Sequence, residues 1–442
     1  MSTASHRSAP RADDTAAPVA RHGRLRSGHP VGFVARVVAA TLAVVLVSTA
    51  SVAAFAVYNL TSAVGPGVSL AGEDDDPVQI GAIEGGVNLL LVGSDSGGGN
   101  AAYGERDAEL NDVTMLMHIS EDHERATVVS FPRDLFVDIP ECTGPDGTVY
   151  NPAYSAKINS ALSRGGLACV VLTVEALTGL DIPYAAEIEF DGVIAMSNAV
   201  GGVPVCVATP IDDRQISFQL DAGEHSLSGF DALQFLRSRY GVGDGSDTTR
   251  ISNQQQFLSS LVRTLKSSDT LSNPVRLYGI ATAATQNLQL SNSLQSVDTM
   301  VSIASALRDI PLEEVVFVRY PSGSGTSNGQ SGVVAIETAA SELIAAIEAD
   351  LPLTLTGDTG GGTIDPDALD ENGVPVEPEV PEVPEETPGE TPAPSADPSA
   401  PTTPAPSEGT ADGETPRVDL PDTVEGQTAD QETCTAGQTA GG

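Results

Sequence analysis

Tryptophan is absent from this 442-residue chain, and aromatic residues of all kinds make up 4% of it. So thin an aromatic complement argues against a base-stacking surface, and nucleic acid is not expected as a partner. Histidine is scarce, with six in the chain, and the four cysteines match no zinc-site spacing. No internal repeat is visible. Basic residues are few as well, with 21 Lys and Arg against 60 Asp and Glu. In so acidic a chain, the places where arginine is concentrated carry information.

One such place is the N-terminus. Arg7, Arg11, Arg21, Arg24, Arg26 and Arg36 give residues 1–36 a basic character. The uncharged run 37–58 follows, and at ~1.5 Å per residue it spans roughly 33 Å, enough for a bilayer core of ~30 Å. Arginines before the run and Glu73, Asp74, Asp75 and Asp76 after it place the N-terminus in the cytoplasm and the remainder outside. Ser51-Val52-Ala53 offers a rival reading as a signal-peptide cleavage site. The leader is long for a signal peptide, which favours an uncleaved single-pass anchor in the cell membrane. Residues 59–79 read as a linker.

The other end differs in kind. Residues 351–442 are dominated by Pro, Glu, Asp, Thr, Gly and Ser, and such a segment buries too little apolar surface to offset its ordering entropy. It is expected to be an acidic, disordered spacer, and ending the chain near Gly357 is expected to remove no core strand. Four cysteines suit an exported protein. A Cys142–Cys169 bridge is expected around an irregular Gly/Pro segment, with Cys206 and Cys434 left as a possible second pair.

Between residues 80 and 350, short apolar runs alternate with helical patterns. Val87–Gly93, Val113–Ile119 and Ala126–Phe131 read as buried strands, with a hairpin turn at Glu121–Glu124. Further strands are expected at 186–190, 203–207 and 315–320. Helices are expected at 153–162, 167–177, 193–200, 228–236, 249–266 and 334–347, with Phe230, Leu233 and Leu236 of the fourth facing inward. The implied fold class is α/β, a single mixed β-sheet layered with helices in one domain.

Arginine also gathers in Arg237-Ser238-Arg239, ahead of a glycine-rich turn and the helix that carries Arg250 and Gln254. On an extended segment Arg237 and Arg239 point to one side. Arg250 and Gln254, four apart, share a helical face near an N-terminus, where anions are favoured. The planar guanidinium fork suits phosphate. Asp95 and Asp112 fall at strand ends and are placed to share one hard cation such as Mg2+ through oxygen. Arg133 stands beside Asp134, and Lys157 with Asn159 offers a further cation and amide.

Taken in order, these pieces resemble the LytR-CpsA-Psr family of bacterial wall-polymer ligases. The resemblance covers residues 88–350. It rests on Leu89-Leu90-Leu91-Val92-Gly93-Ser94-Asp95, Asp112-Val113-Thr114-Met115, Ser130-Phe131-Pro132-Arg133-Asp134, Lys157-Ile158-Asn159, Ala199-Val200-Gly201-Gly202-Val203, Arg237-Ser238-Arg239 and Asp247-Thr248-Thr249-Arg250 through Gln255. The resemblance implies an α-β-α fold and an extracytoplasmic phosphotransferase. Such an enzyme joins a glycopolymer carried on polyprenyl pyrophosphate to peptidoglycan, at a muramic acid 6-hydroxyl. By position Asp95 and Asp112 match magnesium-associated aspartates. Arg133, Lys157, Arg237, Arg239, Arg250 and Gln254 are matched to the pyrophosphate site, and Asp134 and Asp247 are candidates for general base. An apolar pocket for the lipid tail is implied, with Leu167–Leu177 and Ile188–Met196 as candidate walls.

Two positions depart from the family pattern. Leu110 and Asn253 stand where many members carry arginine, and Arg106 is the residue expected to cover the first loss. Two other functions stay open: a polyprenyl diphosphate pyrophosphatase using the same site with water as acceptor, and a non-catalytic wall-binding or regulatory membrane protein, which the two departures favour.

Overall fold

The structure, a computed structural model, describes residues 30–63, 65–71, 86–95, 110–267, 270, 273–366 and 417–438. Helix α1 (Pro30–Ala63) contains a stretch, Val31–Val52, that is long and apolar enough to cross a membrane. That stretch begins earlier than the expected 37–58 because Arg36 lies within it; a single long cationic side chain near the end of a span is tolerated by reaching back to the interface. Residues Met1–Tyr58 form one unit and Asn59–Gly442 another.

The second unit is built on a seven-stranded mixed sheet. The strands needed below are β1 (Val87–Ser94), β2 (Asn111–Ile119), β3 (Ala126–Phe131), β4 (Tyr184–Ile188), β5 (Val203–Thr209), β6 (Leu288–Leu290), β7 (Val315–Arg319), β8 (Gly426–Thr428) and β9 (Cys434–Ala436). The helices are α2 (Leu162–Thr178), α3 (Phe190–Val200), α4 (Gly229–Arg237), α5 (Asp247–Lys266), α6 (Pro274–Asn287), α7 (Val297–Asp309) and α8 (Glu337–Glu348). The main sheet runs β6-β4-β1-β2-β3-β7-β8. β1 pairs antiparallel with β2 and parallel with β4, and β3 pairs parallel with β7.

The continuous apolar runs arise because both faces of this sheet are covered. Leu90, Val92, Leu116 and Val129 point to one side, against Val170 and Val174 of α2 and Leu343 of α8. Leu89, Met115, Met117 and Phe317 point to the other, against Leu258 and Val262 of α5 and Ile303 of α7. A third cluster joins β5 to Phe235 of α4 and Phe257 of α5. Leu167–Leu177 therefore packs on the face away from α5, so that candidate pocket wall is excluded.

Other expectations are corrected. Residues 153–162 are not one helix: Ala153–Lys157 is a strand paired antiparallel with Phe136–Ile139, and α2 starts at Leu162. A short apolar run is ambiguous between the two periods, and the available partner strand decides it. The helix expected over 334–347 starts at Glu337, because Gln330–Ala335 pairs with Ser322–Ser327 as a hairpin. Phe230 is 54% exposed rather than inward. Part of the 59–79 linker is docked, with the Val68 N–H donating to the Leu290 carbonyl and the Asn292 N–H to the Val68 carbonyl. Arg106 lies outside the described residues.

The largest correction concerns 351–442. Residues 367–416 lie outside the described residues, but the chain on either side is folded. β8 adds an edge to the main sheet beside β7, and β9 lies between β5 and Thr363–Ile364 in a second, four-stranded sheet. Both bridges form: Cys142–Cys169 and Cys206–Cys434, the latter across a sequence separation of 228. Gly165 is needed at the first, since a Cβ there would stand 2.8 Å from the Cβ of Cys169 and 2.9 Å from that of Cys142.

Ending the chain at residue 416 is therefore expected to lower stability substantially, and Cys434→Ser to cost about 2–5 kcal/mol through lost constraint on the unfolded chain. Calorimetry of both variants checks this; melting temperatures equal to that of the intact chain would restore the free-spacer reading.

Candidate active site

Four chain segments converge beside the β1–β2 end of the sheet. β2 brings Asp112, the turn after β3 brings Arg133 and Asp134, and the strand Ala153–Lys157 ends at Lys157, opposite Phe136. α5 brings Asp247 and Arg250 in its first turns, after Ser246, whose side chain caps the helix by accepting the Thr249 N–H.

The side chains interlock. Arg133 Nη1 donates to Asp112 Oδ1 at 2.7 Å, and Arg133 Nε stands 3.6 Å from Asp247 Oδ1 and 3.9 Å from Asp134. Arg250 Nη2 lies 2.8 Å from Asp247 Oδ1 and donates to the Asp112 carbonyl at 3.0 Å, while its Nη1 is 3.8 Å from Asp112 Oδ2. Lys157 Nζ donates to Asp134 Oδ1 at 2.8 Å. The Asn159 N–H donates to the Arg133 carbonyl and ties this segment to the cluster. Burial works against the charge of Arg133, but Asp112, Asp247 and Asp134 more than offset it and hold its pKa above the ordinary arginine value. The Asp247 oxygens are buried without a hydrogen bond; the close approach of Arg250 is an ion pair whose alignment does not make one. A cationic side chain at a helix N-terminus opposes the helix dipole, and Asp247 and Asp112 compensate it.

A cavity of about 340 Å3 adjoins this cluster. Leu91, Met115, Ile188, Val193, Met196, Leu233, Leu258 and Leu265 make its apolar wall. Asp112, Arg237, Arg250 and Gln254 are among its few polar lining residues. The expected wall over Ile188–Met196 is thus in place. The Arg237 guanidinium lies 4.4 Å from the centre of the Phe190 ring and donates to Gln234. Gln254 Nε2 donates to the Leu236 carbonyl at 3.1 Å, fixing the exit of α4 to α5.

Two expected residues sit apart from this cluster. Arg239 turns back on its own loop, with Nε donating to the Gly245 carbonyl and the guanidinium over Tyr240. Asp95 is buried just past the end of β1, and its carboxylate accepts the Leu110 N–H at 2.9 Å. It shares an edge of the β1–β2 pair with Asp112, since Ser94 is opposite Asn111. Among the described residues, no group of three or more His, Cys, Asp or Glu stands together as a metal-ligand set.

Sequence reasoning missed Asp213. It is 1% exposed, and Oδ2 accepts from the Ser238 hydroxyl and from the N–H groups of Arg239, Tyr240 and Gly241 at 2.9–3.3 Å. It therefore shapes the arginine turn from a distant strand. An acidic pair, Asp212-Asp213, in a loop-like stretch gives no sign of that.

A mixed sheet layered with helices thus carries an apolar cavity that adjoins an arginine–aspartate cluster. The LytR_cpsA_psr family model matches residues 61–348, and the chain belongs to that family. It is 28% identical over 351 residues to the cell wall biosynthesis protein LcpA of Corynebacterium glutamicum, covering 73% of this chain and 66% of LcpA. It is 28% identical over 286 residues to the polyisoprenyl-teichoic acid–peptidoglycan teichoic acid transferase TagT of Bacillus subtilis, covering 62% of this chain and 83% of TagT. The solved structure of protein gbs0355 from Streptococcus agalactiae has the same fold, with a TM-score of 0.50 at 22% identity over 60% of this chain and 88% of that one.

Asp213→Asn should strand donors that now share one carboxylate oxygen and cost about 2 kcal/mol. Urea denaturation measures this, and an unchanged midpoint would show that the turn is held by other contacts.

Proposed function

We propose that this chain is a membrane-anchored extracytoplasmic phosphotransferase that attaches a polyprenyl-pyrophosphate-linked glycopolymer to peptidoglycan. The observation that carries the proposal is the junction of the two environments: an apolar cavity that suits a lipid tail, with Arg237, Arg250 and Gln254 at its polar end. A transferase activity of this kind is in the name of TagT. The apolar span in α1 would anchor the chain with its basic N-terminus in the cytoplasm.

Three cations, Arg133, Lys157 and Arg250, face three carboxylates, Asp112, Asp134 and Asp247. A diphosphate entering this balanced cluster brings negative charge in excess. Arg237 would meet part of it, and a magnesium ion would meet more. The donors that would hold such an ion are the hard carboxylate oxygens of Asp112 and the orphaned oxygens of Asp247 in the cluster, with Asp95 outside it at the neighbouring strand end. Phosphate oxygens and water would complete its shell, as magnesium prefers. When bound, it would neutralise charge on the diphosphate oxygens.

In this reading Arg237 and Arg250 orient the diphosphate and stabilise the charge that develops at phosphorus. The acceptor hydroxyl attacks the phosphorus that bears the glycan. The bond from that phosphorus to the bridging oxygen breaks, and polyprenyl phosphate leaves with the electron pair. Asp134 takes the acceptor proton, because it is more exposed than Asp247, which the two arginines enclose.

Incubating the full-length protein with lipid-linked glycan and peptidoglycan tests the reading. Ligated glycan plus polyprenyl phosphate supports it. Release of free glycan phosphate would make the protein a hydrolase, and no turnover would leave a binding role. Arg237→Ala should lower turnover about a hundredfold or more, and lysine should rescue it poorly for want of the fork. Asp95→Asn and Asp112→Asn should each raise the magnesium concentration needed for activity. Full activity of the unaltered protein in chelator would sink the metal assignment.

A further inference from the structure

We propose that the C-terminal strand β9 is a latched strap that positions the active site, and that Thr435 is its positioning residue. The inference rests on the assignment of the Asp112–Arg250 cluster as the diphosphate site. The strap lies beyond the 61–348 region matched by the family model.

β9 reaches both arginine-bearing elements. On α5, the Thr435 hydroxyl oxygen stands 2.6 Å from Asn253 Oδ1 and 2.6 Å from Gln256 Oε1, so its one proton serves two amide oxygens. Those amides cannot turn away. Asn253 Nδ2 donates to the Phe235 carbonyl of α4, and Gln256 Nε2 donates to the carbonyls of Cys206 and Thr433. Thr435 and Asn253 are both fully buried, where a missing partner is costly. Asn253 lies within one helical turn of Arg250 and beside Gln254, so the hydroxyl fixes α5 at the turn that follows its catalytic end.

The same strap holds the glycine turn after Arg239. The Gly243 N–H donates to the Ala436 carbonyl and the Gln438 N–H to the Gly241 carbonyl, each at 2.9 Å. Arg239 in turn is clasped to Gly245. The Cys434–Cys206 bridge sits one residue before Thr435, with Cys434 and Thr435 paired in parallel to Cys206 and Val207 just ahead of a register shift, and sets where the hydroxyl falls. A single strand thus fixes the glycine turn, α5 and the α4 exit relative to one another. Positioning of this kind acts on the rate of the chemical step more than on ground-state binding.

The test compares Thr435→Val and Thr435→Ser in the full-length protein. Hydrogen exchange gives a readout that does not depend on turnover. Valine should raise exchange about tenfold over residues 239–254 while β1, β2 and β3 stay protected. With lipid-linked glycan and peptidoglycan, valine should lower kcat about fivefold or more and leave KM within about twofold. Serine, which keeps the hydroxyl, should restore both. Unchanged exchange over 239–254, a uniform rise through the central sheet, or serine behaving like valine would each overturn the proposal. An unaltered protein that turns over no lipid-linked substrate would instead sink the transferase reading, with the exchange pattern still deciding whether the strap holds these segments.

Discussion

The architecture depends on keeping Arg250 charged and 5% exposed near the start of a helix. A guanidinium there is desolvated and faces the positive end of the α5 dipole. Asp247, on the same turn, supplies one carboxylate. Asp112, from the start of β2, supplies a carbonyl and a second carboxylate. Arg133 then balances Asp112, and Asp134 and Lys157 close the chain of pairs. Three strand-end segments and one helix must meet for these charges to be compensated. The geometry of the site is thus a condition of burying it.

The two faces of the sheet divide the remaining work. One face is filled by α2 and α8 into a solid core. The other is covered by α5 and α7, and toward α3 and α4 the covering parts to leave the cavity. Alternation along β1 assigns Leu90 and Val92 to the first side and Leu89 to the second. A rigid packed face supporting a face with a cavity places the charged cluster on ordered elements rather than on free loops.

Much of this was legible in the sequence. Apolar runs gave β1, β2 and β3, and the order of the short motifs gave the family and the convergence of Asp112, Arg133, Asp134, Lys157, Asp247 and Arg250. What was not legible depended on partners far along the chain. Residues 153–157 become a strand because Phe136–Ile139 lies beside them. Arg239 turns to Gly245 because Asp213 gathers the N–H groups of that turn, a fact of tertiary structure with no local signal. The apolar stripe of α2 was sound, yet periodicity cannot say which face of the sheet it covers.

The C-terminal segment shows why composition misleads over long windows. Averaged over 351–442, prolines and acids dominate and no core contribution is visible. The strands that this segment adds to the two sheets are short, among them Gly426–Thr428 and Cys434–Ala436, rich in polar residues and without the apolar alternation of a strand. These two strands are held largely through hydrogen bonds, while Leu353, Leu420 and Val424 of the same segment enter the hydrophobic core. Gln427 donates to Ser259 and accepts from Thr433, and Arg263 donates to the carbonyls of Ala429 and Gln431. A strand docked by amide and hydroxyl pairs is invisible to hydropathy, and only its cysteine hinted at it. Asn253 gains its meaning from the same contact: it stands where an arginine was expected, at a position whose neighbour in space, Thr435, comes from far along the chain.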